Sequence, residues 1–397
     1  MKERNNKVLR KLDKHVGIPL VYTLGLLRRK RKLNPLLQGK IQPRIALVKT
    51  AGIGDTLLVS GVIRELRDFF PEAHITMICA RGNALISDMI RELDEKLVFD
   101  MSKPFKCFRK LRKIEKCDLL LDFGPWPRIN SLISFALRAD YKIGFEKEDM
   151  HRHYVYDQVV QHSDRIHELD NYRNLLRAAL IPPLGLMPRL DVGDDLTAKV
   201  NTAGLFIDDR RTILIHPFSA GSRAYLKEWP DDNWILLARE LIMSGCHVLI
   251  TGGKKDAKRA EQLEDRINRH NGGCLSIAGK YSLREMAAII AKSDLLISID
   301  TGIMHLAAAL GANIVALFGP TSSSRWGPQC SNAIVLNQNG CTPCLSLGFE
   351  NICDKPRGCM SSIRVADVLR ATEMFISAQK EQPAPLSPVD VVDAEVV

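Results

Sequence analysis

The sequence predicts an α/β protein built from two Rossmann-like, doubly wound parallel-sheet domains that face a central cleft. Three observations predict it. Short apolar runs alternate with amphipathic helical stretches along most of the chain, the pattern of βαβ units. The alternation occurs twice, on either side of a stretch containing Pro182, Pro183, Gly185 and Pro188. The chain has 397 residues, 46% of them apolar, enough for two full cores without disulfides or metals.

In the first half, strands are expected at 45–48, 75–79, 97–99, 119–123 and 141–144. Helices are expected at 56–70, stopped by Pro71, and at 106–116 and 130–137. In the second half the expected strands are 213–216, 247–251, 275–277, 295–299 and 314–318. The expected helices there are 231–244, opened by Pro230 and two acids, then 257–268, 282–291 and 305–310. The halves are read as domains over 41–190 and 205–360, followed by a C-terminal helix within 361–380. From 381 to 397 the Pro-rich, Val/Asp tail has no amphipathic pattern and is expected to be disordered.

The net charge of +10 is carried by one end. Residues 1–40 hold 12 basic and 2 acidic groups, whereas the other 357 hold 44 of each. A neutral body argues against a basic cleft for nucleic acid. The arm reads as a basic start, an apolar stretch over 16–27, then Arg28, Arg29, Lys30, Arg31 and Lys32. Twelve residues are too few to span a bilayer. A signal peptide would need a small-residue cleavage site, and five cations following the run stay on the cytoplasmic side. The expectation is a membrane-surface segment, with the apolar run in the headgroup boundary and the cations on anionic lipid. The alternative is a solvated basic tail.

Candidate site residues fall in the strand-to-helix loops, where such sheets bind ligands. The first loop runs Lys49-Thr50-Ala51-Gly52-Ile53-Gly54-Asp55. It lacks the third glycine of a nicotinamide-cofactor fingerprint, the next strand lacks the ribose-binding acid, and no P-loop lysine follows, so a nicotinamide oxidoreductase is disfavoured. Asp55 reads by position as a helix cap, or alternatively as a general base aimed into the cleft. In the second half, Asp300, Thr301, Gly302 and His305 open a helix after a buried strand, offering N–H groups, a hydroxyl and an imidazole suited to a diphosphate. Ser219, in the loop after the strand at 213–216, and Lys227 can reach the same edge.

These residues carry a resemblance. The Lys49-Thr50…Gly54-Asp55 loop, Lys227…Trp229-Pro230…Trp234, Ala278-Gly279-Lys280, and Asp300-Thr301-Gly302…His305 through Phe318-Gly319-Pro320-Thr321 together resemble glycosyltransferase family 9, over roughly residues 43–375. The resemblance implies a GT-B fold, with acceptor on the N-terminal domain and sugar nucleotide on the C-terminal one. It implies inverting transfer without a catalytic metal or other required cofactor, by default of heptose from ADP-heptose to a lipid-linked lipopolysaccharide core or related glycan at the inner face of the inner membrane. It assigns Asp55 as catalytic base, Lys49, Gly52 and Gly54 to the acceptor loop, and Ser219, Lys227, Asp256, Asp300, Thr301, Gly302 and His305 to the donor. The sequence contains no Asp-x-Asp, the usual metal–diphosphate motif of the other large glycosyltransferase fold. A rival from another class is a non-catalytic, membrane-associated sugar-nucleotide-binding protein, which would not need Asp55.

Of ten cysteines, Cys341, Cys344, Cys353 and Cys359 have spacing able to hold a structural zinc; reduced or redox-labile thiols are the alternative.

Overall fold

Six short strands, β1 (Arg44–Val48), β2 (His74–Ala80), β3 (Glu95–Phe99), β4 (Cys117–Asp122), β5 (Ala139–Glu146) and β6 (Gln158–Gln161), make the first sheet. The structure is a computed structural model that describes residues 13–32, 39–100, 102–126, 128–201, 204–220, 223–269, 272–338, 343–346, 349–350 and 358–378. The strand order is β3-β2-β1-β4-β5-β6, parallel throughout. The second sheet contains β7 (Thr212–His216), β8 (His247–Ile250), β9 (Cys274–Ser276), β10 (Leu295–Ile299), β11 (Ile314–Phe318) and β12 (Ala333–Asn337). Its order, β12-β11-β10-β7-β8-β9, repeats the same topology, and it too is parallel. In each sheet the winding direction reverses between the first and fourth strands, which opens a crevice at their carboxyl ends.

Helices on both faces explain why the central strands are continuous apolar runs. β7, β10 and β11 are buried at every position. One buried cluster runs from Leu57, Val62 and Leu66 on the helix Ile53–Phe69 to Met304, Ala308 and Ala309 on the helix Gly302–Ala309. The two lobes therefore share apolar contact at these helices. Trp229 and Trp234 meet edge to face at 5.0 Å. The Trp229 indole N–H donates to the Ile363 carbonyl at 3.0 Å, tying the entry of the last helix, Val365–Ala378, to the second lobe.

Several boundaries differ from expectation. The helix expected at 56–70 starts at Ile53, three residues early, and the one expected at 305–310 starts at Gly302. The one expected at 106–116 is Pro104–Leu111. β6, β12 and the helices Glu168–Ala178 and Asp194–Asn201 had no sequence counterpart.

The arm is more than a surface tail. Its helix, Ile18–Leu26, buries Val21 completely against Val155 and Tyr156, and Tyr22 meets Tyr154 edge to face at 5.0 Å. Arg28 is ion-paired with Asp157, whose other oxygen accepts the Arg31 N–H at 2.8 Å. The apolar run expected in the headgroup boundary is thus divided. One side is used on the body, while Val16, Leu20, Leu26 and Leu27 are exposed. No helix among the described residues is long and apolar enough to cross a membrane. The tail 381–397 lies outside the described residues. So do Cys341 and Cys353; Cys359 is buried beside Gly319, and Cys344 is half-buried.

Candidate active site

The first loop is held by polar groups. Gly52, the cap position of the helix Ile53–Phe69, has φ +84°, which favours glycine, and a Cβ there would strike the Asp55 carboxylate. Asp55 is therefore the third helical residue, not the cap its position suggested. Lys49 is 2% exposed. Its ammonium donates to Asp55 Oδ1 at 3.0 Å, the Phe123 carbonyl at 3.0 Å and the Tyr172 hydroxyl at 2.8 Å, which accounts for all three of its protons. Tyr172 in turn donates to the same Asp55 oxygen at 2.9 Å. Burial, then the neighbouring Asp55 charge, pushes the Tyr172 phenol well above its ordinary pKa, so it stays a donor.

Behind the loop lies a second buried network. Asp122, at the end of β4, accepts from Gly124 N–H at 2.9 Å, Asn130 Nδ2 at 3.1 Å and Arg152 at 2.5 Å. Asn130 accepts from the Thr50 hydroxyl, so the loop backbone is braced from below. A buried network of this kind rigidifies what it holds.

Across the cleft, β10 ends at Ile299, and Asp300 and Thr301 lead into the helix Gly302–Ala309. Lys227 donates to the Asp300 carbonyl at 2.7 Å and to its Oδ2 at 3.1 Å. Burial would raise the Asp300 carboxyl, but Lys227 and His305 outweigh it and hold it below the usual carboxylate range. Burial pushes the His305 imidazole down to about 4, against the pull of Asp300, so it is neutral at physiological pH. The cationic group on this side is therefore Lys227.

The two loops touch. A Cβ on Gly54 would come 2.7 Å from His305 Cδ2, and one on Gly302 would come 3.1 Å from Ile53 Cγ2. The structure thus brings together Lys49, Gly52, Gly54, Asp55, Lys227, Asp300, Gly302 and His305. Thr301 faces the Ser298 hydroxyl at 3.4 Å. Ser219 and Asp256 keep local partners instead. The Ser219 N–H donates to Glu228 Oε1 at 3.1 Å, while its own hydroxyl is buried and unpartnered among the described residues. Asp256 accepts the Gly253 N–H at 2.9 Å.

Sequence reasoning missed Tyr172 and the contacts that join the lobes. Arg325, 4% exposed, pairs with Asp164 at 2.7 Å and with Glu168 at 3.4 Å. His167 Nε2 lies 3.1 Å from the Gly327 carbonyl, and Leu190 N–H donates to the Ala309 carbonyl at 2.9 Å. The available signal was His167-Glu168-Leu169-Asp170, a capped helix start with acids in its first turn.

The family model for glycosyltransferase family 9 (heptosyltransferase) matches residues 113–351. The chain belongs to glycosyltransferase family 9. A lipooligosaccharide heptosyltransferase 2 of Haemophilus ducreyi is 36% identical over 113 residues, covering 28% of this chain and 32% of the relative. A lipopolysaccharide heptosyltransferase 2 of Salmonella typhimurium is 24% identical over 307 residues, 74% of this chain and 87% of the relative. Two solved structures superpose with TM-scores of 0.71 at 20% identity. The ADP-heptose lps heptosyltransferase II of E. coli covers 85% of this chain and 100% of its own. A glycosyl transferase of family 9 from Veillonella parvula covers 88% and 99%. These likenesses show the GT-B fold, and the family 9 chain is a glycosyltransferase. Among its described residues, no group of three or more His, Cys, Asp or Glu is placed to hold a metal ion.

Proposed function

We propose that this family 9 glycosyltransferase moves heptose from ADP-heptose to a lipopolysaccharide core or related cell-envelope glycan, with inversion and without a catalytic metal. The single observation that carries the reading is Asp55, gripped on one oxygen by Lys49 and Tyr172, standing against the Lys227–Asp300–His305 set of the other lobe. The names of the heptosyltransferase relatives support the choice of donor and acceptor.

In the reaction, an acceptor hydroxyl attacks the anomeric carbon from the face opposite the diphosphate, and Asp55 takes its proton. The bond from the anomeric carbon to the diphosphate oxygen breaks, and its electron pair leaves with ADP. Lys227, the N-terminus of the helix Gly302–Ala309 and its free N–H groups neutralise the charge that develops there. Neutral His305 adds a hydrogen-bonding group rather than a charge. Ser219, with its unpartnered hydroxyl, and Asp256 complete the donor side, and Thr301 and Gly302 let the backbone approach the phosphates. The exposed side of the arm, with Leu20, Leu26 and Leu27 beside Arg29, Lys30 and Lys32, meets anionic lipid on the inner membrane's cytoplasmic face.

The test has two arms. Calorimetric titration with ADP-, UDP- and GDP-linked sugars should show the ADP-linked heptose binding tightest; preference for another nucleotide removes the donor assignment. Asp55→Asn should lower kcat about 10²–10⁴-fold with donor affinity nearly unchanged. Turnover retained in Asp55→Asn would leave a sugar-nucleotide site without this base.

A further inference from the structure

The neutral body hides a second concentration of charge. Between 103 and 116, seven residues are Lys or Arg and one, Glu115, is acidic. The helix Pro104–Leu111 buries Cys107 and Leu111 in the core beside Ile78, Leu120 and Ile133. Lys106, Arg109 and Lys110 are exposed on it, as are Arg112 and Lys113 just beyond. Several other surface cations on this lobe have partners: Lys40 with Asp118, Arg67 with Asp94 and Arg81 with Asp100, each at 2.7 Å. Among the described residues, none of these five has a carboxylate partner within ion-pairing distance.

A solvated basic face would explain the charges alone. It does not explain Phe105, which is 89% exposed while its neighbour Phe108 packs on Phe99 at 5.1 Å. An exposed aromatic ringed by unpaired cations is the chemistry of a lipid headgroup boundary.

Location agrees with this. The helix Arg128–Ala136 packs against Pro104–Leu111 on one side and the arm helix Ile18–Leu26 on the other, so both lie on one face of the first sheet. The segment starts at the carboxyl end of β3, the sheet edge that carries the Asp55 loop, and runs back toward the amino end of β4.

We propose that Phe105, Lys106, Arg109, Lys110, Arg112 and Lys113 form a docking surface for an anionic lipid leaflet, distinct from the arm, with its Phe105 end toward the sheet edge that carries the Asp55 loop. Its purpose, presenting the cleft to a lipid-linked acceptor, rests on the proposed transfer; its lipid binding does not.

The experiment is flotation of the full-length protein with phosphatidylglycerol–phosphatidylcholine vesicles and with pure phosphatidylcholine vesicles, near physiological salt. Three proteins are compared with the parent: Lys106→Gln/Lys110→Gln/Lys113→Gln, Phe105→Ser, and the arm variant Leu26→Ser/Leu27→Ser. Each basic residue near an anionic leaflet is worth about fivefold in partitioning. The triple variant should therefore bind phosphatidylglycerol vesicles at least about tenfold more weakly, and Phe105→Ser should show a smaller loss. All substituted side chains are exposed, so near-ultraviolet circular dichroism should not change. Partitioning unchanged in both Phe105→Ser and the triple variant overturns the proposal. So does a triple variant whose only defect is a raised KM for a soluble, deacylated acceptor, which would make the segment part of the acceptor site. Loss of vesicle binding without any heptosyl transfer by the parent would keep this surface and sink the transfer reading.

Discussion

Each lobe presents a carboxylate–lysine pair at the reversal point of its sheet, and the two pairs are built for different work. In the first lobe Asp55 follows β1, the first strand, and pairs with Lys49 at 3.0 Å. In the second, Asp300 follows β10, the fourth strand, and pairs with Lys227 at 3.1 Å. The carboxylates are similarly sheltered, with side chains 14% and 12% exposed, but the lysines are not, at 3% and 21%. Lys49 spends its three protons on protein and acts as a fixed strut. Lys227 donates to Asp300 and stays partly exposed, so under the proposed transfer it would exchange that partner for a phosphate. One topology thus yields an anchored carboxylate on one side and a transferable cation on the other.

The strongest way to break this comparison is to remove the strut. Lys49→Met leaves Asp55 beside Tyr172 without its counter-charge in a buried setting. Breaking such a pair costs about 3–5 kcal/mol, which chemical denaturation should read as a lower midpoint. Lys227→Met strips the sheltered Asp300 of its counter-charge and so also costs stability, but its distinguishing effect should be on turnover: kcat falls about 10²–10³-fold, the scale for losing one developing-charge stabiliser. If the two variants behave alike, the distinction between strut and transferable cation is wrong.

Acid sharpens the contrast next. His216 and His305, both in the second lobe, are pushed down to about 4 by burial, below the ordinary value near 6.5. The unfolded chain binds more protons than the folded one between these values, so stability should fall as pH drops from 6.5 toward 4. By pH 5 each histidine withdraws about 2 kcal/mol. Thermal melts between pH 7 and pH 5 check this, and His216→Asn, which removes one titrating group, should flatten the slope. The smallest effect is expected at Gly54→Ala. Its methyl meets a ring edge at 2.7 Å, so the lobes must shift slightly. A fall of about tenfold in kcat/KM, or about 1.4 kcal/mol, with an unchanged melting temperature would place the cost in interlobe fit.

Why some of this could be read from the chain and some could not follows from particular residues. Runs such as Ile213–Ile215 and Leu295–Ile299 are buried on both faces, so hydrophobicity alone reports them. β6, Gln158–Gln161, lies at the sheet edge with polar ends and gives no such signal. The helix Ile53–Phe69 was read as starting late because Gly54 looks like loop; the glycine is there for His305, which the local sequence cannot reveal. Asp55, Lys227, Asp300 and His305 became candidates because their loops follow recognisable strands and carry the family resemblance, and the fold brings them together. Tyr172 was not, because its partnership with Asp55 spans 117 positions and only the fold closes it. Counting charge on residues 1–40 against the rest likewise located the arm and missed the helix Pro104–Leu111, where cations gather on one exposed face.

The contact of Gly54 with His305 and of Ile53 with Gly302 leaves the seam with no thickness between the two candidate loops. A sugar ring cannot slide in; it has to wedge. The ties that resist wedging are those from Arg325 to Asp164 and Glu168, from His167 to Gly327, and from Leu190 to Ala309. Under the proposed transfer, donor entry requires this clasp to yield, so loosening a tie far from Asp55 should change the rate of entry without altering a single reacting atom.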